Sequence, residues 1–550
     1  MLPIFASWCF MLGIFLTCGV AADSIFKINS RNPILKIVVG IIFQTVVLTT
    51  AAFFIPIGFW CFTFNVLFTV VTAYFYRRKI FIEIQAIRME WQRFSSFAKI
   101  SMVLIVLAAL FKSAQSPFIL DNESYYVQTI KWLNEYGFVK GIANLNVAYG
   151  QTSPWHILQS GFNFNFLTNR LNDINGFLMV VCSFFFMAGF DREKKLWVGF
   201  LFFFNVLLFQ FIDSPSPDFP LIVVGQVVFY QFLNKEDNDN ARSNALFIIY
   251  LIFVKITVVP LLFLVLWSVY KSRKESLFFI LSSLLFFTLW VAKNTVLFGY
   301  PLFPTSLFAV NADWKIPEAL LNNLNNAIRN HEFMTLKGYE TFSVMDKFLI
   351  WIRFGGINSV FNKGILVLFA VVVFIPRMRF ERFRALYVVL LLHFVTVFLV
   401  SPQFRFFLID FIFLAAVLAE ALFQRLRIKE MSLRVMVFLS VLLPFFTVYI
   451  IDFKLMTSNK LNLSIEKPRW TQLYLPYPNS RYDGIRFIET TEGNLKYYSP
   501  EKIFFSYGTA NGPLPCTSRR IVKRFKARYH FIPQLRTGRL DDGFYSSPVK

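Results

Sequence analysis

Acidic, hydroxyl-bearing and basic side chains are concentrated in residues 120–165, directly after an apolar segment at residues 100–116. Asp121 and Glu123 come first, where the chain leaves the apolar segment. A carboxylate at that point stays hydrated enough to ionise, and it can then act as a general base toward a hydroxyl group. Glu123 also stands where a carboxylate stabilises the first turn of a helix, so a structural role is an equal alternative for it.

Further charged residues lie at the ends of other apolar segments or inside them. Asp218 precedes an apolar run, Lys293 follows one, and Arg405 lies in a short turn between two. Lys255 stands alone inside an apolar run, which is costly unless its charge reaches water or a partner. Lysine and arginine side chains can hold a phosphate leaving group, so these residues are candidates for substrate binding. Charges at such places also mark the water interface, and Asp218 could equally stabilise a helix N-terminus.

The segment after Asp121 has helical spacing, and it and the rest of the loop add three more candidate binding residues. Apolar side chains recur every three or four residues over residues 126–137, which predicts a helix with one apolar face, lying at an interface. Tyr125 and Gln128 belong to this segment, and His156 follows it in the same loop. His156 is either a hydrogen-bonded interface histidine or a proton carrier.

The composition predicts an integral membrane protein. Hydrophobic residues make up 56% of the 550 residues and form many long runs, so the lipid bilayer is an expected partner. The formal charge is +23, but lysine and arginine gather in short loops between the runs, as expected of loops on the cytoplasmic side. Nucleic acid is therefore not expected as a partner. The five cysteines are scattered and predict neither a disulfide nor a zinc site.

Counting the runs predicts an all-α polytopic protein of about 12 full spans. Residues 1–99 form a three-span region that ends in a cytosolic amphipathic helix. Residues 100–451 form the main transmembrane core, with outer loops at 117–173 and 293–363. Residues 452–550 form a small extracytoplasmic C-terminal domain.

The apolar run at residues 245–270 is interrupted by Lys255 and Pro260. It could be one span or a re-entrant pair of short helices. One span would move the basic residues 271–274 to the outside, against the positive-inside bias, so we favour the pair.

The layout resembles that of the GT-C superfamily of membrane glycosyltransferases, with an acidic motif just past an early span, interfacial helices in the same outer loop, a second acidic residue in the next outer turn and a soluble domain after the spans. Four segments are similar, more closely, to a bacterial family of GT-C-like multispan proteins. They are Asp121-Asn-Glu-Ser-Tyr-Tyr126, Ser214-Pro-Ser-Pro-Asp218, Gly299-Tyr-Pro-Leu-Phe-Pro304 and Gly512-Pro-Leu-Pro-Cys516. The resemblance implies a GT-C-like fold in the bacterial inner membrane, with the active site on the extracytoplasmic side. It also implies that Asp121 is the base that activates the acceptor, with Glu123 as the alternative base, and that Asp218 is a second acid.

The expected function is transfer of a sugar from a polyprenyl-phosphate donor to a glycan, lipid or protein acceptor. The substrate-binding candidates are Lys255, Arg405, Lys293, His156, Tyr125 and Gln128. No cofactor is assigned, and because the loop lacks an Asp-X-Asp motif, the use of a divalent metal is left open. The alternatives are a polysaccharide polymerase or ligase acting on lipid-linked glycans, and a transporter or flippase.

Overall fold

The structure of the chain, a computed structural model, describes residues 1–234, 241–269, 272–334, 336–450, 466–503, 505 and 507–549. The described chain is mostly helical, with a small sheet region near the C-terminus. This confirms the coarse prediction of a helical protein. Residues 451–465, which include the start of the predicted C-terminal domain at residue 452, lie outside the described residues, as do the polar residues 235–240 between two apolar runs.

Helices form most of the chain, and the strands follow near its end. The α-helices are α1 (Leu2–Phe26), α2 (Pro33–Ala51), α3 (Phe59–Arg93), α4 (Ser96–Ser113), α5 (Val127–Tyr136), α6 (Ile142–Leu145), α7 (Val147–Gly150), α8 (Pro154–Phe162), α9 (Ile174–Asp191), α10 (Leu196–Phe203), α11 (Asn205–Leu208), α12 (Asp218–Leu233), α13 (Ala241–Val254), α14 (Leu262–Val269), α15 (Arg273–Phe298), α16 (Glu318–Arg329), α17 (Val344–Arg353), α18 (Gly356–Val372), α19 (Glu381–Val400), α20 (Leu408–Arg425), α21 (Glu430–Ile450) and α22 (Arg519–Tyr529). The strands are β1 (Phe487–Glu492), β2 (Leu495–Pro500), β3 (Phe531–Leu535) and β4 (Phe544–Pro548). A π-helical turn at Asn122–Tyr126 and short 3₁₀ turns at Ile256–Leu261 and Phe404–Phe406 matter for the site.

Several helices are long and apolar enough to cross a bilayer. Among the described residues seven meet this criterion by length and composition, namely α1, α2, α3, α4, α9, α15 and α19. The pair α17 and α18 would add an eighth if it forms one span, but it is bent by 116°. The other apolar helices include α12 and α13, which are shorter than 18 residues. These helices are consistent with a protein that crosses a membrane several times.

The third apolar run and the amphipathic segment that follows it are one helix. The sequence predicts a span that ends near Tyr76 and a separate amphipathic helix over residues 77–99, yet α3 runs without a break from Phe59 to Arg93. No glycine or proline interrupts residues 77–93, so nothing in the local sequence ends the helix at the interface. The predicted boundary between the two elements is therefore wrong.

The run that contains Lys255 turns back on itself. The start of α13 lies beside the start of α15, because Arg242 Nε is 2.7 Å from Glu275 Oε2. Lys255 is extended and follows α13, and the 3₁₀ turn and α14 then return the chain to the start of α15, where Ser276 Oγ donates to Val269 O at 3.0 Å. The segments on either side of Lys255 therefore run in opposite directions, and the break stands where the sequence places it.

The C-terminal region is small and packs on the loop that follows α4. β1 pairs with β2 and β3 with β4, both antiparallel. Phe544 N donates to Lys140 O at 2.9 Å, and Tyr149 Oη donates to Cys516 O at 2.7 Å. These bonds join the C-terminal region to the loop predicted to carry the site.

Helices α1 and α2 approach each other through two glycines. A Cβ on Gly19 would lie 1.8 Å from Lys36 O, and a Cβ on Gly40 would lie 1.8 Å from Phe15 O. Such contacts leave no room for any side chain, since both neighbours are backbone atoms. Small residues that allow close helix approach are a recurrent packing device in membranes.

We expect Gly40→Ala to destabilise the protein by about 2 kcal/mol, because the added methyl group forces α1 and α2 apart. Thermal unfolding of the purified protein in detergent would report this as a lower Tm. Gly13→Ala is the matched control, since a Cβ at Gly13 meets nothing within 4 Å. Equal Tm values for the two variants would contradict the close packing.

Candidate active site

Most of the candidate residues line one cavity of about 680 Å³. Its walls come from the start of the π-helical turn, the segment around α7 and α8, the N-terminus of α12, the break after α13, the C-terminal part of α15, α16, the turn before α20, and α22. The sequence candidates in its lining are Asp121, Tyr125, Asp218, Lys255, Lys293 and Arg405. Residues separated by hundreds of positions therefore meet around one space.

Four of these residues form a chain of alternating charge, which we call the charged cluster (Asp121, Arg405, Asp218 and Lys255). Arg405 Nη1 is 2.9 Å from Asp121 Oδ2, and Arg405 Nε is 3.7 Å from Asp218 Oδ2. Lys255 Nζ is 2.5 Å from Asp218 Oδ1. Each carboxylate therefore has a cationic partner, as charges in a water-poor setting require.

The two carboxylates differ in their access to the cavity. The Asp121 side chain is 26% exposed, whereas that of Asp218 is only 4% exposed. Asp218 contacts both cations and fixes their positions, while Asp121 keeps a face toward the cavity. Of the two, Asp121 is better placed to meet a substrate.

Local structure explains where each charged residue stands. Asp218 is the first residue of α12, where a carboxylate is favoured by the helix dipole. Lys255 has an extended backbone between α13 and the 3₁₀ turn, so it lies at a break in the helix. Arg405 lies in the 3₁₀ turn before α20 and also donates to Gln403 Oε1 at 3.0 Å. Breaks between helices thus carry both cations.

An aromatic ring supports the two cations from one side. Lys255 Nζ lies 3.4 Å from the centroid of the Phe406 ring, and the Arg405 guanidinium carbon lies 5.0 Å from it. Cation–π contacts of this kind stabilise a desolvated positive charge. Phe406 was not singled out by the sequence, since one phenylalanine among 72 gives no signal of its own.

The site electrostatics keep Arg405 charged and Tyr125 neutral. Burial lowers the pKa of Arg405, but Asp121 and Asp218 outweigh it, so the pKa is raised above its ordinary value. Burial and, secondarily, the Asp121 carboxylate raise the pKa of Tyr125 far above its usual range. Tyr125 is therefore a phenol that can donate a hydrogen bond into the cavity but cannot act as a base.

Glu123 and Gln128 do not line the cavity. Glu123 is buried, and its carboxylate accepts from Ser480 Oγ at 2.6 Å and from Arg481 N at 2.9 Å. Gln128 Nε2 donates to Gly512 O at 3.0 Å. Both side chains hold the C-terminal region against the loop, so the structure favours a structural role for them. On the polar side of α5, Gln128 and Asn134 are accordingly covered by protein, whereas Glu135 is exposed.

Lys293 and His156 lie next to each other but face different surroundings. Lys293 lines the cavity and its Nζ donates to Thr152 O at 2.7 Å. His156 is fully buried behind the cavity wall, where its Nδ1 accepts from Ser153 N at 3.4 Å and its ring lies 4.5 Å from that of Tyr126. Burial and the nearby Lys293 charge lower the pKa of His156 to about 3. A neutral His156 within the α8 cap fits a structural role better than proton transfer.

Other cavity residues escaped the sequence reasoning. Tyr507 lies in an irregular segment with no periodicity, and burial and the Asp121 charge raise its pKa. Arg524 comes from α22, whose dense basic residues were visible in the sequence, although nothing indicated that they reach the site. Within the part of the chain that the structure describes, no three His, Cys, Asp or Glu side chains cluster as metal ligands would.

A second, apolar cavity of about 300 Å³ adjoins the first. The two share Phe253, Ile256 and Trp290, and the apolar one continues between α13, the 3₁₀ turn and α15. Ile256 is 47% exposed and Phe287 is 53% exposed, although both are large apolar residues. The charged cavity thus shares part of its wall with an apolar cavity on the side of the helices that would face lipid.

Comparison with known proteins gives one match. The family model described as a domain of unknown function, DUF8201, matches residues 1–413. The matched segment contains all four residues of the charged cluster. No curated protein and no solved structure matches the chain.

The buried His156 predicts a loss of stability on acidification. Above pH 6.5 His156 is neutral in both the folded and the unfolded protein. Below pH 6.5 it is protonated in the unfolded protein, whereas in the folded protein it stays neutral down to about pH 3. The histidine contribution should therefore fall by about 1.4 kcal/mol per pH unit as the pH drops below 6.5. His156→Asn keeps a hydrogen-bond acceptor and removes the titration. Tm measured from pH 7.5 to 5 should decline less steeply for the variant than for the wild type, and parallel declines would contradict the assignment.

Proposed function

The chain belongs to the DUF8201 family, and from that premise and the geometry of its cavity we propose that it is a membrane glycosyltransferase that moves a sugar from a polyprenyl-phosphate donor to an acceptor. The observation that carries the proposal is that the cavity lined by the charged cluster shares part of its wall with the apolar cavity. A lipid-linked phosphate needs cations for its headgroup and a hydrocarbon surface for its chain. The charged cavity supplies the cations and the apolar cavity supplies the hydrocarbon surface. The two cavities share Phe253, Ile256 and Trp290.

In the proposed reaction the sugar is transferred by a single displacement with inversion. The acceptor hydroxyl oxygen attacks the anomeric carbon while its proton passes to the Asp121 carboxylate. The bond between that carbon and the phosphate oxygen breaks, and the oxygen keeps the electron pair. Lys255 and Arg405 stabilise the charge that develops on the phosphate, as cations preorganised in a water-poor site do. Asp218 positions both cations, and Tyr125 and Lys293 lie where they can bind the sugar.

The direction of the helices supports an extracytoplasmic site. α12 begins in the cavity at Asp218, and Arg382 Nη1 donates at 2.9 Å to Asn234 O, just past the opposite end of the helix. Arg242 likewise lies at the end of α13 that is remote from Lys255. Basic residues are retained on the cytoplasmic side of membranes, so the cavity belongs on the other side.

The proposed architecture follows from this orientation. It is a GT-C-like core with about twelve spans in the bacterial inner membrane. The segments around Lys255 form a re-entrant pair, and the C-terminal region is extracytoplasmic. Glycan, lipid and protein acceptors all fit this outline.

We expect Asp121→Asn to lower kcat by about 10²–10⁴-fold, because the amide cannot accept the acceptor proton. The measurement is transfer from a radiolabelled polyprenyl-phosphate sugar by purified protein in nanodiscs. Asp483→Asn is the control, since this exposed carboxylate lies outside the cavity. Undiminished turnover by Asp121→Asn would refute the base assignment, and lipid movement without any transfer would instead indicate a flippase.

The apolar cavity gives a separate test. Ser283 lines it, whereas its neighbour Ser282 does not. Ser283→Phe should raise KM for the long-chain donor by about tenfold or more, because the added ring fills space in the cavity that the lipid chain would occupy and costs about 1–3 kcal/mol of its binding. Ser282→Phe serves as the matched control. A donor with a short, water-soluble chain should be used equally well by both variants. An unchanged KM of Ser283→Phe for the long-chain donor would argue against binding of the lipid chain in the apolar cavity.

A further inference from the structure

Helix α22 is strongly basic and has no acidic residue. Its basic residues are Arg519, Arg520, Lys523, Arg524, Lys526 and Arg528. No acidic residue occurs between Glu501 and Asp541, so the charge is not balanced by neighbours in sequence. A positive surface of this density attracts anions over about 8–10 Å at moderate salt.

One face of α22 forms part of the wall of the cavity that contains Asp121. Ile521, Arg524, Phe525 and Tyr529 line it, facing residues of α16 that include Asn323. Val522 is buried in the apolar core that the C-terminal region shares with residues 132–149 and 297–321. The apolar residues of α22 are thus already used in the cavity wall and the core. No apolar stripe is left that could embed the helix in a bilayer, as an interfacial helix would need.

The basic residues do not all have structural roles. Lys526 Nζ is 2.7 Å from Glu492 Oε1, and near the C-terminus of the helix its charge suits the helix dipole. Arg520 lies in the first turn, where the dipole disfavours a cation. Among the described residues Arg520, Lys523 and Arg524 have no ion-pair partner. These three charges lower the stability of the isolated helix, and they are exposed.

We propose that the acceptor is an anionic glycan, and that Arg520, Lys523 and Arg524 bind its carboxylate or phosphate groups where it enters the cavity between α16 and α22. The term acceptor rests on the proposed function, but the binding itself does not. Arg524 is the residue of the three that lines the cavity, so it stands between the basic surface and the charged cluster. Its planar guanidinium suits both carboxylate and phosphate groups.

The experiment measures binding of fluorescent oligosaccharides to the full chain in nanodiscs of neutral lipid. The probes are an oligogalacturonide, its methyl-esterified form of the same length, and a glycerol-phosphate oligomer. The triple variant Arg520→Gln/Lys523→Gln/Arg524→Gln is compared with Lys467→Gln/Arg486→Gln/Lys502→Gln, which removes the same charge from exposed sites elsewhere in the C-terminal region. We expect Kd for an anionic probe to rise about tenfold or more in the first variant and to change less than about twofold in the second. The two anionic probes distinguish carboxylate from phosphate.

Three results would overturn the inference. They are equal binding of the esterified and free oligogalacturonides, equal Kd values for the wild type and the first triple variant, and binding of vesicles of anionic lipid, but of no glycan, through these three residues. Transfer to a neutral acceptor without anionic binding would reject this inference and leave the proposed function intact. Binding of an anionic glycan through α22 without sugar transfer from any lipid donor would reject the proposed function and leave the binding inference intact.

Discussion

The charged cluster depends on pairing charges of opposite sign where water is scarce. Removing an ion from water costs several kcal/mol unless a partner replaces the lost hydration. Asp218 is almost fully buried, so it requires Lys255 and Arg405, and Arg405 in turn requires Asp121, which lies 284 positions earlier in the chain. This need draws together the start of the π-helical turn, the start of α12, the break after α13 and the turn before α20. The cavity is the space that remains between them.

The C-terminal region completes the site from the other side. Glu123 and Gln128, two buried polar residues of the loop after α4, find hydrogen-bond partners there. The same region supplies Tyr507 and Arg524 to the cavity lining. The described part of the C-terminal region therefore contributes to the shape of the cavity as well as to its charge.

The sequence was informative where one residue conflicts with its surroundings. A lysine and a proline inside an apolar run predict a break, and the break occurs at Lys255. The sequence could not separate Asp121 from Glu123, since the two are alike in type and only two positions apart. Their surroundings differ because Glu123 accepts a hydrogen bond from Ser480, which lies 357 residues later in the chain. Contacts of that range leave no trace in local spacing, which is also why Tyr507 was missed.

The π-helical turn at Asn122–Tyr126 fits one more residue into a turn than an α-helix does, with Val127 N donating to Asn122 O. Each residue of an α-helix advances the helix by about 100°. Removing a single residue from this turn would therefore leave α5 seated on the C-terminal region and rotate Asp121 away from Arg405 by roughly that angle. Among related chains, one missing residue here would separate those that keep the ion pair between Asp121 and Arg405 from those that keep the fold alone.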